Sequence, residues 1–257
     1  MRVAILAGGL GTRLSEETGS RPKPMVDIGG RPILWHIMKH YAGNGIRDFV
    51  VALGYKGDVI REFFLGYSHI AARSLHIQTK DGTVRAVAGE HDDWDVHLVD
   101  TGETTNTGGR VLRLRDWLTG DEHFCLTYGD GLADIDLKLL IDYHLSHGKL
   151  ATITAVRPPS RFGGLVLDDG MVTTFVEKPQ IGEGWINGGF MVLNRQVLGR
   201  IAGDDTSMES DVLEGLAAEG QLMAYRHEGF WQCMDSLRDT RLLRNLWESG
   251  DAPWQTW

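Results

Sequence analysis

The run Leu6-Ala7-Gly8-Gly9-Leu10-Gly11-Thr12-Arg13-Leu14 limits what this chain can fold into more than any other segment. A short apolar strand, Val3-Ala4-Ile5-Leu6, empties into a glycine turn, and Arg21-Pro22-Lys23-Pro24 follows shortly after. Glycines let the main chain approach a ligand closely and aim several N–H groups at it. Arg13 and Lys23 bring positive charge to the same place. A loop of this kind suits an anion, above all a polyphosphate. The plainer alternative is a strand-to-loop turn with a chance arginine.

Spacing excludes two familiar phosphate loops. A Walker loop needs G-x-x-x-x-G-K-[ST], and no Lys-Ser or Lys-Thr pair follows these glycines. The dinucleotide fingerprint needs a third glycine three residues after the second, where this chain has Leu14. The loop is therefore a nucleotide loop of another kind.

At 257 residues the chain can bury a large core. Its 33 glycines are about twice the usual share, which suggests many tight turns and backbone-lined sites. The formal net charge of -9 argues against nonspecific nucleic-acid binding. The N-terminal segment stands out against that charge, because Arg2, Arg13, Arg21, Lys23, Arg31 and Lys39 outnumber Glu16, Glu17 and Asp27 there. A locally basic loop on an acidic protein fits a small anionic ligand better than a polymer. Cys125 and Cys233 sit in apolar or aromatic contexts and are expected to be buried thiols. Without a signal pattern before the first strand or an apolar run of membrane-span length, a cytoplasmic protein with no membrane contact is expected.

Strand-like and helix-like segments alternate. Ile33, Leu34, Ile37, Met38 and Tyr41 share one helical face, and Gly43-Asn44-Gly45 stops that helix. Asp48 to Leu53 reads as a buried strand, and Val59, Ile60, Phe63, Phe64 and Tyr67 as a second helical stripe. Ser74 to Thr79 and Trp94 to Val99 read as strands, Thr107 to Leu118 as a helix and His123 to Tyr128 as a strand. Leu137, Leu140, Ile141, His144 and Leu145 mark the next helix, and Leu150 to Val156 the next strand. Such alternation implies an α/β fold, Rossmann-like, with a mixed, mostly parallel sheet flanked by helices. The second half adds β-rich elements: a hairpin over 163–176 turning at Asp168-Asp169-Gly170, and a strand from Trp185 to Leu193. A helix at Ser210 to Ala218, a strand at Leu222 to His227 and a helix at Leu237 to Trp247 complete the chain. No linker or repeat divides it, so a single domain over 1–257 is expected.

Tyr128-Gly129-Asp130-Gly131 ends a predicted buried strand, as the first glycine loop does. Ligands of open α/β sheets bind at such carboxyl ends. Asp130 can therefore face Arg13 and Lys23 across a crevice, and a carboxylate facing a polyphosphate calls for a cation such as Mg²⁺ between them. A turn aspartate is the competing reading. Asp235, directly before a helix, reads from sequence as an N-cap. Glu177-Lys178 ends a strand and Asn187-Gly188 lies inside another. Glu and Asn can take sugar hydroxyls and Lys a sugar phosphate, but a surface ion pair and a turn fit equally. Thr107-Gly108-Gly109-Arg110 opens a helix. It could read a nucleobase edge, or be a capped helix start with an exposed arginine.

Other clusters carry less. The stretch from His91 to His97 is rich in ligand types but meets no metal spacing and reads as solvated surface. His36 and His40 are four apart on a helix, but Ile37 replaces the glutamate of a zinc-protease helix. Trp254 and Trp257 in the tail either cover a subunit interface or fold back on the body.

Taken together, the glycine loop, Pro22-Lys23-Pro24 and Tyr128-Gly129-Asp130-Gly131 resemble the sugar-1-phosphate nucleotidyltransferases over nearly the whole chain. Ser15-Glu16-Glu17-Thr18, Pro32 to Met38, Gly229-Phe230-Trp231-Gln232, Met234-Asp235 and Ala252-Pro253-Trp254 are similar to the branch that joins CTP to glucose 1-phosphate. Thymidylyl and uridylyl relatives usually carry a Gln-bearing segment in place of Thr107-Gly108-Gly109-Arg110, which is the main pointer to CTP. The resemblance implies the nucleotide-diphospho-sugar transferase fold. It also implies formation of CDP-glucose and pyrophosphate from CTP and α-D-glucose 1-phosphate, with Mg²⁺ as cofactor.

As site residues the resemblance implies Asp130 and Asp235 as the metal pair, and Arg13 and Lys23 as catalytic phosphate ligands. Leu6, Ala7, Gly8, Gly9, Leu10, Gly11, Thr12, Thr105, Gly109, Arg110 and Gly129 would surround the nucleotide, and Glu177, Lys178, Asn187 and Gly188 the sugar phosphate. A nucleotide-binding half over about 1–135 and a sugar-phosphate half with oligomerisation elements over about 136–257 would follow, as would a homo-oligomer. Cys233 departs from the family pattern, where proline is common, and Gly164 stands where alanine is frequent. The alternatives are a thymidylyl- or uridylyltransferase and a non-catalytic nucleotide-sugar-binding subunit. The last expects erosion of Arg13, Lys23, Asp130 or Asp235, and all four are present.

Overall fold

A computed structural model describes residues 1–11, 14–72, 74–87, 92–158, 164–168, 171–176 and 184–257. Its main sheet contains β1 (Val3–Leu6), β2 (Asp48–Leu53), β3 (Asp95–Asp100), β4 (His123–Tyr128), β5 (Ala151–Val156), β6 (Ile186–Asn187), β7 (Met191–Asn194) and β8 (Leu222–His227). Strands β4, β1, β2 and β3 lie side by side and parallel. Beyond β4 the direction reverses: β7 pairs antiparallel with both β4 and β5, β6 also pairs antiparallel with β5, and β8 runs parallel on the far edge of β5. The sheet is mixed and mostly parallel, as the sequence predicts.

The register decides where chemistry can occur. Leu6 pairs with Tyr128. The glycine loop after β1 and Gly129-Asp130 after β4 therefore leave the sheet side by side at its carboxyl end. Alternating side chains bury both faces of the central strands. Val3, Ile5, Phe49 and Val51 meet Leu34, Ile37, Met38 and Tyr41 of α1 (Ile33–Gly43) on one face. Ala4, Leu6, Val50 and Ala52 meet Val111 of α2 (Thr107–Arg113), Leu114, Met208 and Val212 on the other. The period of two buried on both sides is what a helix-covered parallel sheet requires.

Three predicted elements differ in detail, and one strand is new. The strand expected from Trp185 to Leu193 is split into β6 and β7. Gly188 is pulled aside by bonds from its N–H to Thr154 O (2.8 Å) and from Trp231 Nε1 to its carbonyl (2.8 Å). Gly189 (φ 77°) and Phe190 (φ 41°) then take left-handed conformations, which no strand continues through. The helix expected over Thr107–Leu118 breaks at Leu114 into Thr107–Arg113 and Arg115–Leu118. The helix expected from Ser210 begins as a π-helical turn, Met208–Leu213, before Glu214–Ala218. Thr83–Val87 forms an antiparallel partner for Ser74–Gln78 that the sequence reading did not include. The later hairpin pairs Gly164–Asp168 with Met171–Val176, and its predicted turn residues Asp169 and Gly170 lie outside the described residues.

One surface expectation is corrected, and the tail takes one of its two expected courses. Asp92 is not simply solvated: it accepts from Lys39 Nζ (2.8 Å), Trp35 Nε1 (3.3 Å) and the Tyr67 hydroxyl, while His91 lies outside the described residues. The tail folds back on the body. Trp254 is fully buried, stacks on Trp247 and donates to His36 Nδ1 at 3.3 Å. His36 and His40 are buried core histidines: His36 Nε2 meets Ile28 O at 2.8 Å and His40 Nδ1 meets Thr256 Oγ1 at 3.2 Å.

Candidate active site

Among the described residues, two cavities open at the carboxyl end of the sheet. The larger, of about 540 Å³, is lined by Leu6 to Gly11, Lys23, Pro24, Glu103 to Thr107, Arg110, Tyr128 to Asp130, Asp205 and Asp235. The smaller, of about 250 Å³, is lined by Thr127, Tyr128, Asp130, Gly131, Asn187 to Phe190, Trp231, Cys233 and Asp235. Tyr128, Asp130 and Asp235 belong to both. The wall between the cavities is thus a tyrosine and two carboxylates.

A short antiparallel ladder brings the two aspartates together. Gly131–Ala133 pairs with Trp231–Cys233 in the register Gly131 to Cys233, and Met234 N donates to Asp130 O at 2.9 Å. Asp235 is not the N-cap expected from sequence. Ser236 caps α3 (Leu237–Glu248) by accepting from Asp239 N, which leaves the Asp235 side chain to face Asp130 and Lys23. Lys23 starts a 3-10 turn, Lys23–Met25, held by a bond from Met25 N to Pro22 O (2.8 Å). Pro24 seats that turn against Gly129, where a β-carbon would come within 2.8 Å of Pro24 Cγ and 3.0 Å of Leu6 O, so only glycine fits.

Lys23 Nζ lies 2.6 Å from Asp130 Oδ2 and 2.5 Å from Asp235 Oδ1. Burial opposes its charge, but Asp130 above all, with Asp235, more than offsets that and holds its pKa above the ordinary lysine value. The two carboxylates therefore already converge on one cation. Two converging carboxylate oxygens form a hard donor set suited to a divalent ion such as Mg²⁺ or Mn²⁺. Asp130, Cys233 and Asp235 offer ligand atoms within 4.8 Å of one another. Burial, with Asp130 next, pushes the Cys233 thiol far up, which keeps it protonated and a poor ligand. The expectation of an apolar setting for Cys233 is corrected: it sits half-buried among these charges, whereas Cys125 is buried in the core.

The structure gathers Leu6, Ala7, Gly8, Gly9, Leu10, Gly11, Lys23, Thr105, Arg110 and Gly129 around the larger cavity, and Asn187 and Gly188 around the smaller. Gly109 is packed against the Asp204 main chain and is not in the lining. Thr12, Arg13, Glu177 and Lys178 lie outside the described residues. Arg110 is neither exposed nor free to read a base. It is 5% exposed, and its fork donates to the carbonyls of Gly8, Leu53, Gly102 and Glu103 and to Thr101 Oγ1. It clamps the loops that frame the cavity. Asn106 caps its helix by accepting from Thr107 N. Sequence reasoning assigned no role to Tyr128, Trp231 or Asp205. Tyr128 was within reach of the strand-end argument, as the last residue of β4.

Comparison with known proteins identifies the family. A family model described as nucleotidyl transferase matches residues 2–240. The chain is 52% identical over 258 positions to glucose-1-phosphate cytidylyltransferase of Salmonella typhi, covering all of both chains. It is 44% identical, again over the whole of both, to a probable glucose-1-phosphate cytidylyltransferase of Bacillus subtilis. Among solved structures, HddC from Yersinia pseudotuberculosis superimposes with a TM-score of 0.71 at 27% identity, covering 96% of this chain and 99% of that one.

Proposed function

We propose that this chain, which belongs to the nucleotidyl transferase family, transfers the cytidylyl group of CTP to α-D-glucose 1-phosphate, giving CDP-glucose and pyrophosphate. The observation that carries this reading is the shared wall: one cavity per substrate, with Asp130 and Asp235 between them. Full-length similarity to the Salmonella and Bacillus proteins supports the choice of substrates.

A phosphate monoester with a second pKa of about 6 is already largely ionised at neutral pH. The attacking oxygen therefore needs no general base. The difficulty is to bring two anions together and align them with the α-phosphorus. The glycine loop, with the main-chain groups of Gly8, Gly9 and Gly11 lining the larger cavity, cradles the triphosphate. Lys23, joined by Arg13, neutralises it. Glu103 to Thr107, with Thr105 among them, border the base. Lys178 holds the incoming phosphate, and Glu177 and Asn187 the sugar hydroxyls. Asp130 and Asp235 would hold Mg²⁺, which supplies charge neutralisation at the transferring phosphate. Lys23, which reaches both carboxylates and also lines the larger cavity, is placed to neutralise the triphosphate.

Among the described residues no helix is long and apolar enough to cross a membrane, and both cysteines are unbonded. These features support a cytoplasmic setting. Leu65 (82% exposed) and the outward Leu75, Ile77 and Val84 support a homo-oligomer. The test is pyrophosphate release with each nucleoside triphosphate against each sugar 1-phosphate. CTP with glucose 1-phosphate is expected to be the fastest pair, and faster turnover of UTP or dTTP refutes the assignment.

A further inference from the structure

Asp205 is an exposed residue in the lining of the larger cavity, and among the described residues nothing holds its carboxylate. Its main chain, by contrast, is fixed. Gly203 and Thr206 close a tight turn around it, with Thr206 N donating to Gly203 O at 3.2 Å and Gly203 N to Thr206 Oγ1 at 3.1 Å. The start of α2 docks on that turn. Asn106 donates from N to Asp204 O at 2.8 Å and from Nδ2 to Asp205 O at 3.2 Å, and Gly109 N donates to Thr206 O at 3.2 Å. Only glycines allow this approach: a β-carbon would come within 2.7 Å of Thr206 O at Gly108 and within 2.4 Å of Asp204 O at Gly109. Arg113 grips the neighbouring Asp204 carboxylate through Nε (2.9 Å) and Nη2 (2.5 Å). Of the two consecutive aspartates, one is neutralised and the other is held at the cavity with its charge unspent.

Charge divides this cavity. Among the described residues its lining cations are Lys23 and Arg110. Lys23 reaches Asp130 and Asp235, and Arg110 spends its fork on carbonyls and Thr101 Oγ1. Glu103 and Asp205 have no cation partner among the described residues. Uncompensated carboxylates repel a triphosphate, so their end of the cavity takes the uncharged part of the nucleotide. A carboxylate only accepts hydrogen bonds. Cytosine offers a 4-amino donor where uracil and thymine carry a 4-oxygen acceptor.

We propose that Asp205 is a specificity-determining residue, whose carboxylate accepts a hydrogen bond from the 4-amino group of cytosine and repels the 4-oxygen of uracil or thymine. This rests on the larger cavity being the nucleotide site. Asp205 is favoured over Glu103 because its shorter side chain leaves a turn held from both sides, which fixes the reach of the carboxylate.

The experiment measures binding, with Mg²⁺ present, of CTP and of the pyrimidin-2-one ribonucleoside triphosphate, which is CTP without the 4-amino group. Titration calorimetry compares the wild type, Asp205→Ala and Glu103→Gln. The wild type is expected to bind CTP about tenfold more tightly than the analogue, the worth of one charge-assisted hydrogen bond, and Asp205→Ala to bind the two within about twofold. No preference in the wild type, a preference retained in Asp205→Ala, or one lost in Glu103→Gln instead overturns the proposal. In turnover with glucose 1-phosphate, the ratio of kcat/KM for CTP over UTP should fall about tenfold in Asp205→Ala. In Asp205→Asn, whose amide can also donate, it should fall through faster use of UTP. A ratio unchanged in both variants overturns the proposal too. If the amino group is recognised through Asp205 but the wild type turns over no CTP with glucose 1-phosphate, the contact stands and the substrate reading fails.

Discussion

Replacing Lys23 by methionine isolates the electrostatics of the site from its chemistry. Methionine keeps most of the packing of the stem against the Pro24 turn but removes the charge that bridges Asp130 and Asp235 at 2.6 and 2.5 Å. Fully buried pairs broken in this way lose about 3–5 kcal/mol, and exposed ones about 0–1 kcal/mol. Here the side chains are 12% exposed for Lys23, 25% for Asp130 and 23% for Asp235, so water screens part of the loss. An intermediate value of about 2 kcal/mol is expected, which for a chain of this size lowers Tm by about 4–8 °C. The two aspartates are then left facing each other, and a divalent ion no longer competes with an internal ammonium. Millimolar Mg²⁺ should recover most of the lost Tm in the variant and move the wild type little, because binding to the native state alone stabilises it. Thermal melts with and without Mg²⁺ read both effects. A variant that melts with the wild type in the absence of divalent ions, or Mg²⁺ that shifts the two proteins equally, would show that Lys23 does not neutralise this pair.

Asp130→Ala should abolish pyrophosphate release while leaving the circular dichroism spectrum and the Tm near the wild-type values; near-normal turnover removes Asp130 from the reaction. Stability should fall in mild acid, because burial lowers His36, His40 and His144 each to about 4. Their unfolded values lie near 6.5, so their contribution is complete above that pH and is lost as pH falls toward 4. Between pH 7 and pH 5 each withdraws about 2 kcal/mol at most. A urea midpoint unchanged over that range contradicts the assignment of these histidines as buried and neutral.

Local pattern made much of this fold legible. Val3–Leu6, Asp48–Leu53, His123–Tyr128 and Leu222–His227 have the bounds that their apolar runs and flanking turns suggest. The two strand ends carrying the glycine loop and Asp130 could be placed at one edge of the sheet, because parallel strands share their carboxyl ends. What stayed illegible depends on contacts between distant segments. Asp235 looks like a helix cap until the pairing of Gly131–Ala133 with Trp231–Cys233 carries it to Asp130. Arg110 looks exposed until loops from Gly8, Leu53 and Gly102 close on its guanidinium. The interruption at Gly188 to Phe190 has a local sign, the paired glycines. Its cause is the Trp231 indole and the Thr154 carbonyl, which no window of sequence contains.

The central claim is that Asp130 and Asp235 would together hold a divalent ion beside the bound nucleotide. Crystals grown with CTP and Mn²⁺, measured at the manganese absorption edge, test it directly. The account predicts an anomalous peak coordinated by both aspartates. A peak held away from the two carboxylates would contradict it.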